Sequence, residues 1–359
     1  MPTAERQIRC RAGGFMAISL RKDGMGRAGR SGAVYLAAGC CLLLAAGCSQ
    51  PLTPPPITPT APPPTPTLRP RGDSIPPGAA KWGPEEDPSA PVLHSDQWDQ
   101  PIPVPGVVDT AGAEDSPFLL PDGKTLYFFF TPDSRIPAQE QLFDGVTGIY
   151  VAHLRSGAWA DDERLVLEDP GALSLDGCPF VLRDKIWFCS AREGFTGVNL
   201  FTADLVGGNA VNWQYAGDQL NKDYSVGEMH ITADGLELYF HSAKSGGHGG
   251  LDIWMSQKTS DGWAEPVNVA AVNTAGDEGW PFVSQNGQQL WFTRVYQGSP
   301  AIFRSVRSGE GWGEPELIIS QFAAEPSLDQ QGNIYFAHHF IQDGQVAEAD
   351  IYVAMSKAR

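Results

Sequence analysis

Five short stretches of the chain carry carboxylates in similar surroundings: AEDSPF at 113–118, LDGCPF at 175–180, GEMH at 227–230, GDEGWPF at 276–282 and AEPS at 324–327. Their acidic residues are Glu114 with Asp115, Asp176, Glu228, Asp277 with Glu278, and Glu325. Carboxylates brought to one opening raise each other's pKa, and the strain is relieved in one of three ways. Backbone N–H groups of the adjoining loops can cap each carboxylate, a cation can be held among the oxygens, or a protonated member can act as an acid. Asp115, Asp176, Glu228, Glu278 and Glu325 are therefore the candidate ligand-facing residues. Oxygen donors of this kind would suit Ca²⁺, although no loop has EF-hand spacing, and no other cofactor is implied.

Other side chains invite a chemical reading more weakly. His230, His241 and His248 fall close together in sequence, and His338 and His339 are adjacent. Neighbouring residues of a strand point to opposite faces, so the adjacent pair cannot ligate one metal, whereas His230 and His241 could meet across a hairpin or simply pack. Cys178 and Cys189 flank VLRDKIW. If Arg183 and Asp184 form a two-residue loop, the two thiols fall opposite each other and could bridge in an oxidising compartment; two buried free thiols are the alternative. GMGRAG at 24–29 matches a dinucleotide fingerprint only by letters, since no strand precedes it. RGDS at 71–74 copies an adhesion tetrapeptide that recurs by chance. GxSxG, HExxH and phosphate-loop motifs are absent from the sequence.

The elements that must position these residues repeat. Apolar-aromatic triads stand at 126–128, 186–188, 238–240, 290–292 and 334–336, spaced 60, 52, 52 and 44 residues apart. Four follow hairpin chemistry, in PDGKT, ADGLE, QNGQQ and QQGN, where Gly supplies the positive φ. Downstream of each lies an aliphatic-aromatic pair, at 149–150, 200–201, 253–254, 302–303 and 351–352, and then a tryptophan: Trp159, Trp213, Trp263 and Trp312. The fifth unit ends before its tryptophan. Trp98 is the spare, and its surroundings, WDQPIPVPGVVDTAGAEDSPF, copy those of Trp263, WAEPVNVAAVNTAGDEGWPF. The pattern predicts an all-β, five-bladed β-propeller of four-stranded antiparallel blades, in which the N-terminal strand closes the C-terminal blade. Closure removes a sheet edge that would otherwise invite aggregation.

The units, most clearly ADGLELYFHSAKSGGHGGLDIWMSQKTSDGWAEP at 233–266, resemble the TolB-like, WD-related propeller repeats of bacterial envelope proteins over about 260 residues. The chain departs from TolB in showing five units where TolB has six and no separate α/β domain. The placement of the carboxylates is also similar to that in five-bladed propellers that cleave arabinan or fructan. By that resemblance Asp115 would be the base, Asp176 its pKa-tuning partner and Glu228 or Glu325 the acid, with the working pair about 6.5–9.5 Å apart for inversion. The acidic positions vary against this pattern: three residues before Pro117 and Pro281, but directly before Met229 and Pro326.

The N-terminus reads as an address. Arg21, Lys22, Arg27 and Arg30 precede an apolar run, Ala33 to Gly47, that suits a signal peptide and is too short for a membrane span. The ending AAGCSQ resembles a lipobox, with Ala45 where Leu is usual, and makes Cys48 the lipidated residue; Cys40 is a second, less favourable site. Residues 1–47 are then the leader, with translation starting at Met25 as an alternative. Residues 48–71 form a Pro/Thr-rich tether, 72–97 an irregular segment that drapes over the domain, and 98–359 the propeller. The net charge is −17; the first 48 residues contribute +7 − 2 = +5, which leaves −22 for the rest. Such a surface repels nucleic acid and bare anionic lipid. The expected partners are a membrane, through the lipid, and an envelope protein or glycan; the expected location is the outer side of the bacterial cell membrane, or the outer membrane. Replacing Cys48 with Ala should move the protein to the soluble fraction on cell fractionation; unchanged sedimentation with membranes would count against the anchor.

Overall fold

The computed structural model describes residues 70–357 except Glu310, and upstream of them only a two-residue ladder between Met16–Ala17 and Ala37–Ala38. Cys48, the alternative Cys40, the start at Met25, the apolar run and nearly all of the tether lie outside the described residues.

Each sequence unit folds as an antiparallel meander. The first comprises Ala113–Leu119, Thr125–Thr131, Gly148–Arg155 and Ala158–Arg164. The second comprises Ser174–Leu182, Lys185–Arg192, Asn199–Val206 and Asn209–Tyr215. In the third, Met229–Ile231, Glu237–Ser242 and Asp252–Thr259 are followed by two short outer pieces, Gly262–Trp263 and Val267–Asn268. The fourth repeats that plan with Glu278–Val283, Gln289–Tyr296, Ser299–Ser308, Gly311–Trp312 and Glu316–Ser320. The fifth has three strands of its own, Ala323–Leu328, Ile334–Gln342 and Gln345–Ala354. The aromatic triads all lie in second strands, where both faces are covered by neighbouring sheets. Phe128, Phe129 and Phe130 are all buried, so the run is continuous instead of alternating. Gly123, Gly235, Gly287 and Gly332 take φ between 68° and 84° in the connecting hairpins.

The outer strand that the fifth unit lacks comes from the other end of the chain. Ile102 and Pro103 pair antiparallel with Val353 and Tyr352, and Trp98 bridges to Ser356. Asp99 donates its N–H to the Met355 carbonyl at 2.8 Å, Val104 to Ile351 at 2.9 Å, and Lys357 to Gln97 at 2.9 Å. Trp98 is 5% exposed; its indole N–H reaches the Gly332 carbonyl at 2.8 Å and its ring meets Trp291 edge-on at 5.6 Å. The first strands of successive units lie side by side in cyclic order, the fifth returning to the first. The sheets of units five and one also merge through one parallel bridge, Ala349 to Ala113. No single hydrogen-bonded sheet runs the whole way round among the described residues.

The segment upstream of Trp98 has little regular structure but is pinned at several points. Arg71 enters unit one, and Lys81 and Trp82 reach Glu348 in unit five. Asp87 meets His338 at 2.8 Å, and Val92–Leu93 extends the outer edge of unit four against Ile319 and Ser320. The arginine of RGDS is 6% exposed and so is not presented to a receptor. Replacing Trp98 with Ala should cost about 3–5 kcal/mol, because it empties a large buried site and removes a hydrogen bond. Chemical denaturation checks this, and an unchanged midpoint would contradict the closing role of this strand.

Candidate functional site

The first strands hold the carboxylates, and a backbone irregularity sorts them. Ser116, Cys178, Trp280 and Glu325 take φ of 48°, 56°, 53° and 58°, and the ladders slip there, for example between Asp115 and Phe118 and between Ala324 and Ser327. Side chains alternate faces along a strand, so a bulge at this point re-aims those beside it. Left-handed backbone at non-glycine residues costs roughly 1–2 kcal/mol each, so its recurrence across units means the surrounding packing imposes it.

Glu114, Asp176 and Glu278, each three residues before a proline, turn into their own units and are neutralised there. Glu278 accepts the Thr274 N–H at 2.8 Å and its hydroxyl at 2.6 Å, and pairs with Arg294 at 2.8 Å. Glu114 is held the same way by Thr110 and pairs with Arg71 at 2.7 Å. Asp176 takes the Ser174 hydroxyl at 2.7 Å and Arg192 at 2.9 Å. The duplicated TAG-x-E of the sequence is thus a carboxylate cap. In every case the guanidinium also lies on at least two aromatic rings, Arg192 on Phe188 and Phe201, Arg294 on Phe292 and Phe303, and Arg71 on Phe128 and Phe130, at 4.6–5.3 Å from these centroids. Unit one has no arginine of its own at this place and borrows Arg71 from the far end of the strap. Even so, burial pushes Glu114 up to about 7, with Arg71 and Thr110 opposing. Asp176 and Glu278 therefore do not belong with the ligand-facing group expected from sequence.

Asp115, Glu228 and Glu325 remain; Glu228 feels the Asp115 charge, and Glu325 feels both. Burial raises Glu228 to about 8, the Asp115 charge adds to this, and hydrogen bonds from Cys178 and the Trp280 indole, at 2.9 Å, oppose it. Glu325 is raised well above the ordinary range, first by burial and then by Asp115 and Glu228. Ser116 donates hydrogen bonds to its carboxyl, while its Oε2 has no partner among the described residues. Asp115 accepts the Ser116 N–H at 2.9 Å and faces His339 at 3.4 Å. Ser116, Glu228, Trp280 and Glu325 line a cavity of about 40 Å³, closed by Phe118, His230 and Phe282. That is room for one water or a few, against several hundred Å³ for an organic ligand. Among the described residues no three His, Cys, Asp or Glu side chains are arranged to hold a metal ion.

The histidines and cysteines find ordinary places. His230 packs against Phe180 and Phe282 at 4.9 and 4.6 Å, and burial drops it to about 3. His241, dropped to about 4, is approached by the N–H groups of Glu228 and Trp280. His338 and His339 face opposite ways, towards Asp87 and Asp115. Of the two states open for Cys178 and Cys189, the structure holds the second: both are free thiols. The bulge places Gly177, not Cys178, opposite Cys189, while the Cys178 thiol bonds to Glu228. The arginine partners were missed in the sequence; a cation two or four residues after the aromatic triad, as in LWFTR and IWFCSAR, was the available signal.

No protein-family model and no curated protein sequence matches the chain. Among solved structures it is similar to an endo-arabinase from Bacteroides thetaiotaomicron, with 13% identity, 72% of this chain and 98% of that one covered, and a TM-score of 0.46. It is also similar to TolB from Acinetobacter baumannii, with 14% identity, 70% and 56% coverage and a TM-score of 0.41. For an exo-β-1,3-galactanase from Clostridium thermocellum the values are 11%, 75%, 64% and 0.44. Likeness at this level does not bear on activity.

Two variants test the division of the carboxylates. Arg71→Ala leaves Glu114 buried without its partner and should cost about 3–5 kcal/mol in denaturation; most of this should return in the Arg71→Ala, Glu114→Gln double variant. If the double variant recovers nothing, the ion pair is not the source of the loss. Burial raises Glu228 from an ordinary 4.5 to about 8, so the folded state holds a proton that the unfolded chain releases between those values. Its contribution is fully present below about 4.5 and is lost as pH rises to about 8. Glu228→Gln should therefore be more stable than the parent at pH 8, by on the order of a few kcal/mol, with the gap closing towards pH 5. A gap independent of pH would contradict the raised pKa.

Proposed function

We propose that this chain is a lipid-anchored, extracytoplasmic five-bladed β-propeller of four-stranded blades, acting by binding a protein or glycan of the bacterial envelope. The cyclic adjacency of the five first strands and the pairing of residues 97–104 with 351–357 support the ring. The lipobox-like AAGCSQ and the proline-rich tether support the anchor. The observation that carries the choice of binding over hydrolysis is the size of the axial cavity. Glu228 and Glu325 line only about 40 Å³, Asp115 is turned to His339 outside that lining, and Asp176, the partner a hydrolase of this kind would use, is tied to Arg192 and Ser174. A sugar ring has no place between an acid and a base here.

The alternative, a propeller glycoside hydrolase working through Asp115 and Glu228 or Glu325, is tested by incubating the protein with a panel of plant and microbial polysaccharides. No reducing sugar should be released. Release that disappears in Asp115→Asn would establish the hydrolase instead.

A further inference from the structure

A sizeable cavity lies away from Asp115, Glu228 and Glu325, at the end of the units where first and second strands are joined. It is about 640 Å³ and is bounded by the hairpin loops of units four and five and by the closing strand. A second cavity of about 540 Å³ adjoins it between units three and four, and both are walled by Gln285 and Asn286. The two flank the Gln285–Asn286 loop and form a trough, interrupted by that loop, across three units.

The chemistry of the walls is narrow. Gln285, Gln330 and Gln331 are exposed, and their side-chain amides make no hydrogen bond among the described residues. The cations are matched internally, Arg304 to Glu316 and Gln97, Arg307 to Glu237, and Lys357 to Asp99, while the lining carboxylates Asp96, Asp234 and Asp329 have no basic ion-pair partner among the described residues. A floor is supplied by Trp98, Phe282 and Leu328. Amides both donate and accept, as hydroxyls do, while a trough without an unpaired cation gives no grip to an anion. We propose that this trough binds a linear, neutral glycan, with the two cavities as successive subsites on either side of the Gln285–Asn286 loop. This deepens the binding reading above and rests on it.

The direction of the trough agrees with the tether. Gln330 donates its N–H to Pro121, so the hairpin loops of units five and one share one face. Arg71, where the tether ends, pairs with Glu114 at the opposite end of the strand Ala113–Leu119. Seven residues at about 3.3 Å each separate the faces by roughly 20 Å, so a tether rooted in a membrane leaves the trough pointing away from it.

Calorimetric titration of the full-length protein with cello-, xylo-, β-1,3-gluco- and N-acetylchito-oligosaccharides of two and six units, and with oligogalacturonate, tests this. At least one neutral hexamer should bind, about tenfold more tightly than its dimer, with oligogalacturonate silent. The Gln285→Ala, Gln331→Ala double variant should weaken that binding about tenfold at unchanged thermal stability. The site is wrong if no neutral oligomer binds, if oligogalacturonate binds best, or if the double variant binds as the parent does. A bound oligomer that is shortened during the titration would leave the trough standing and overturn the non-catalytic reading instead.

Discussion

The third strand of the last unit, Gln345–Ala354, would present a row of unpaired backbone groups if the chain's leading segment did not reach it, and the rest of the structure depends on that edge being covered. An uncovered edge costs hydrogen bonds and recruits other chains. Covering it from the opposite terminus has a second effect, since it fixes the two ends of the polypeptide to each other. The hydrogen bonds of Asp99, Val104 and Lys357 do this along the backbone, and Trp98 does it with side-chain volume. The same strand then runs on past unit one, where Val107 donates to the Trp159 carbonyl.

Buried charge is the second constraint. Units one, two and four each carry a carboxylate at the base of the first strand, and each needs a cation within its own sheet. Arg192 and Arg294 are supplied locally and lie on aromatic rings, which lets a guanidinium be buried with its faces as well as its edges satisfied. Unit one receives Arg71 from 43 residues upstream, and in unit five Lys81 lies among Glu348, Asp350 and Asp109. The strap is therefore part of the electrostatic core, and its loss would leave several buried carboxylates without a partner. Asp115, Glu228 and Glu325 have no arginine or lysine partner among the described residues, Asp115 facing only His339, and burial holds Glu228 and Glu325 above the ordinary carboxylate range.

The strands were legible because their signal is local. Every aromatic triad lies in a second strand, every aliphatic-aromatic pair in a third, and Trp159, Trp213, Trp263 and Trp312 lie in fourth strands. Trp98 was recognisable as the spare because its surroundings are a copy. The site was less legible, for a reason of geometry: a one-residue bulge at Ser116, Cys178, Trp280 and Glu325 decides which neighbour faces the axis, and no residue type announces it. Cys178 was misplaced by that same residue. Glu228 and Glu278 read alike as letters, yet one lies against the axial cavity and the other beneath an arginine. Long-range side-chain partners were illegible, since nothing in RGDS points to a glutamate in another element.

The measurement that bears most directly on closure is amide hydrogen exchange at Asp99, Val104 and Lys357, whose N–H groups form the seam. If the two ends are zipped together, these amides exchange in the same slow class as those of the strand Thr125–Thr131, and they open with the domain as a whole. Exchange at the rate of unprotected loop amides, with the remaining strands still slow, would mean that the last sheet is open and the ring is not a ring.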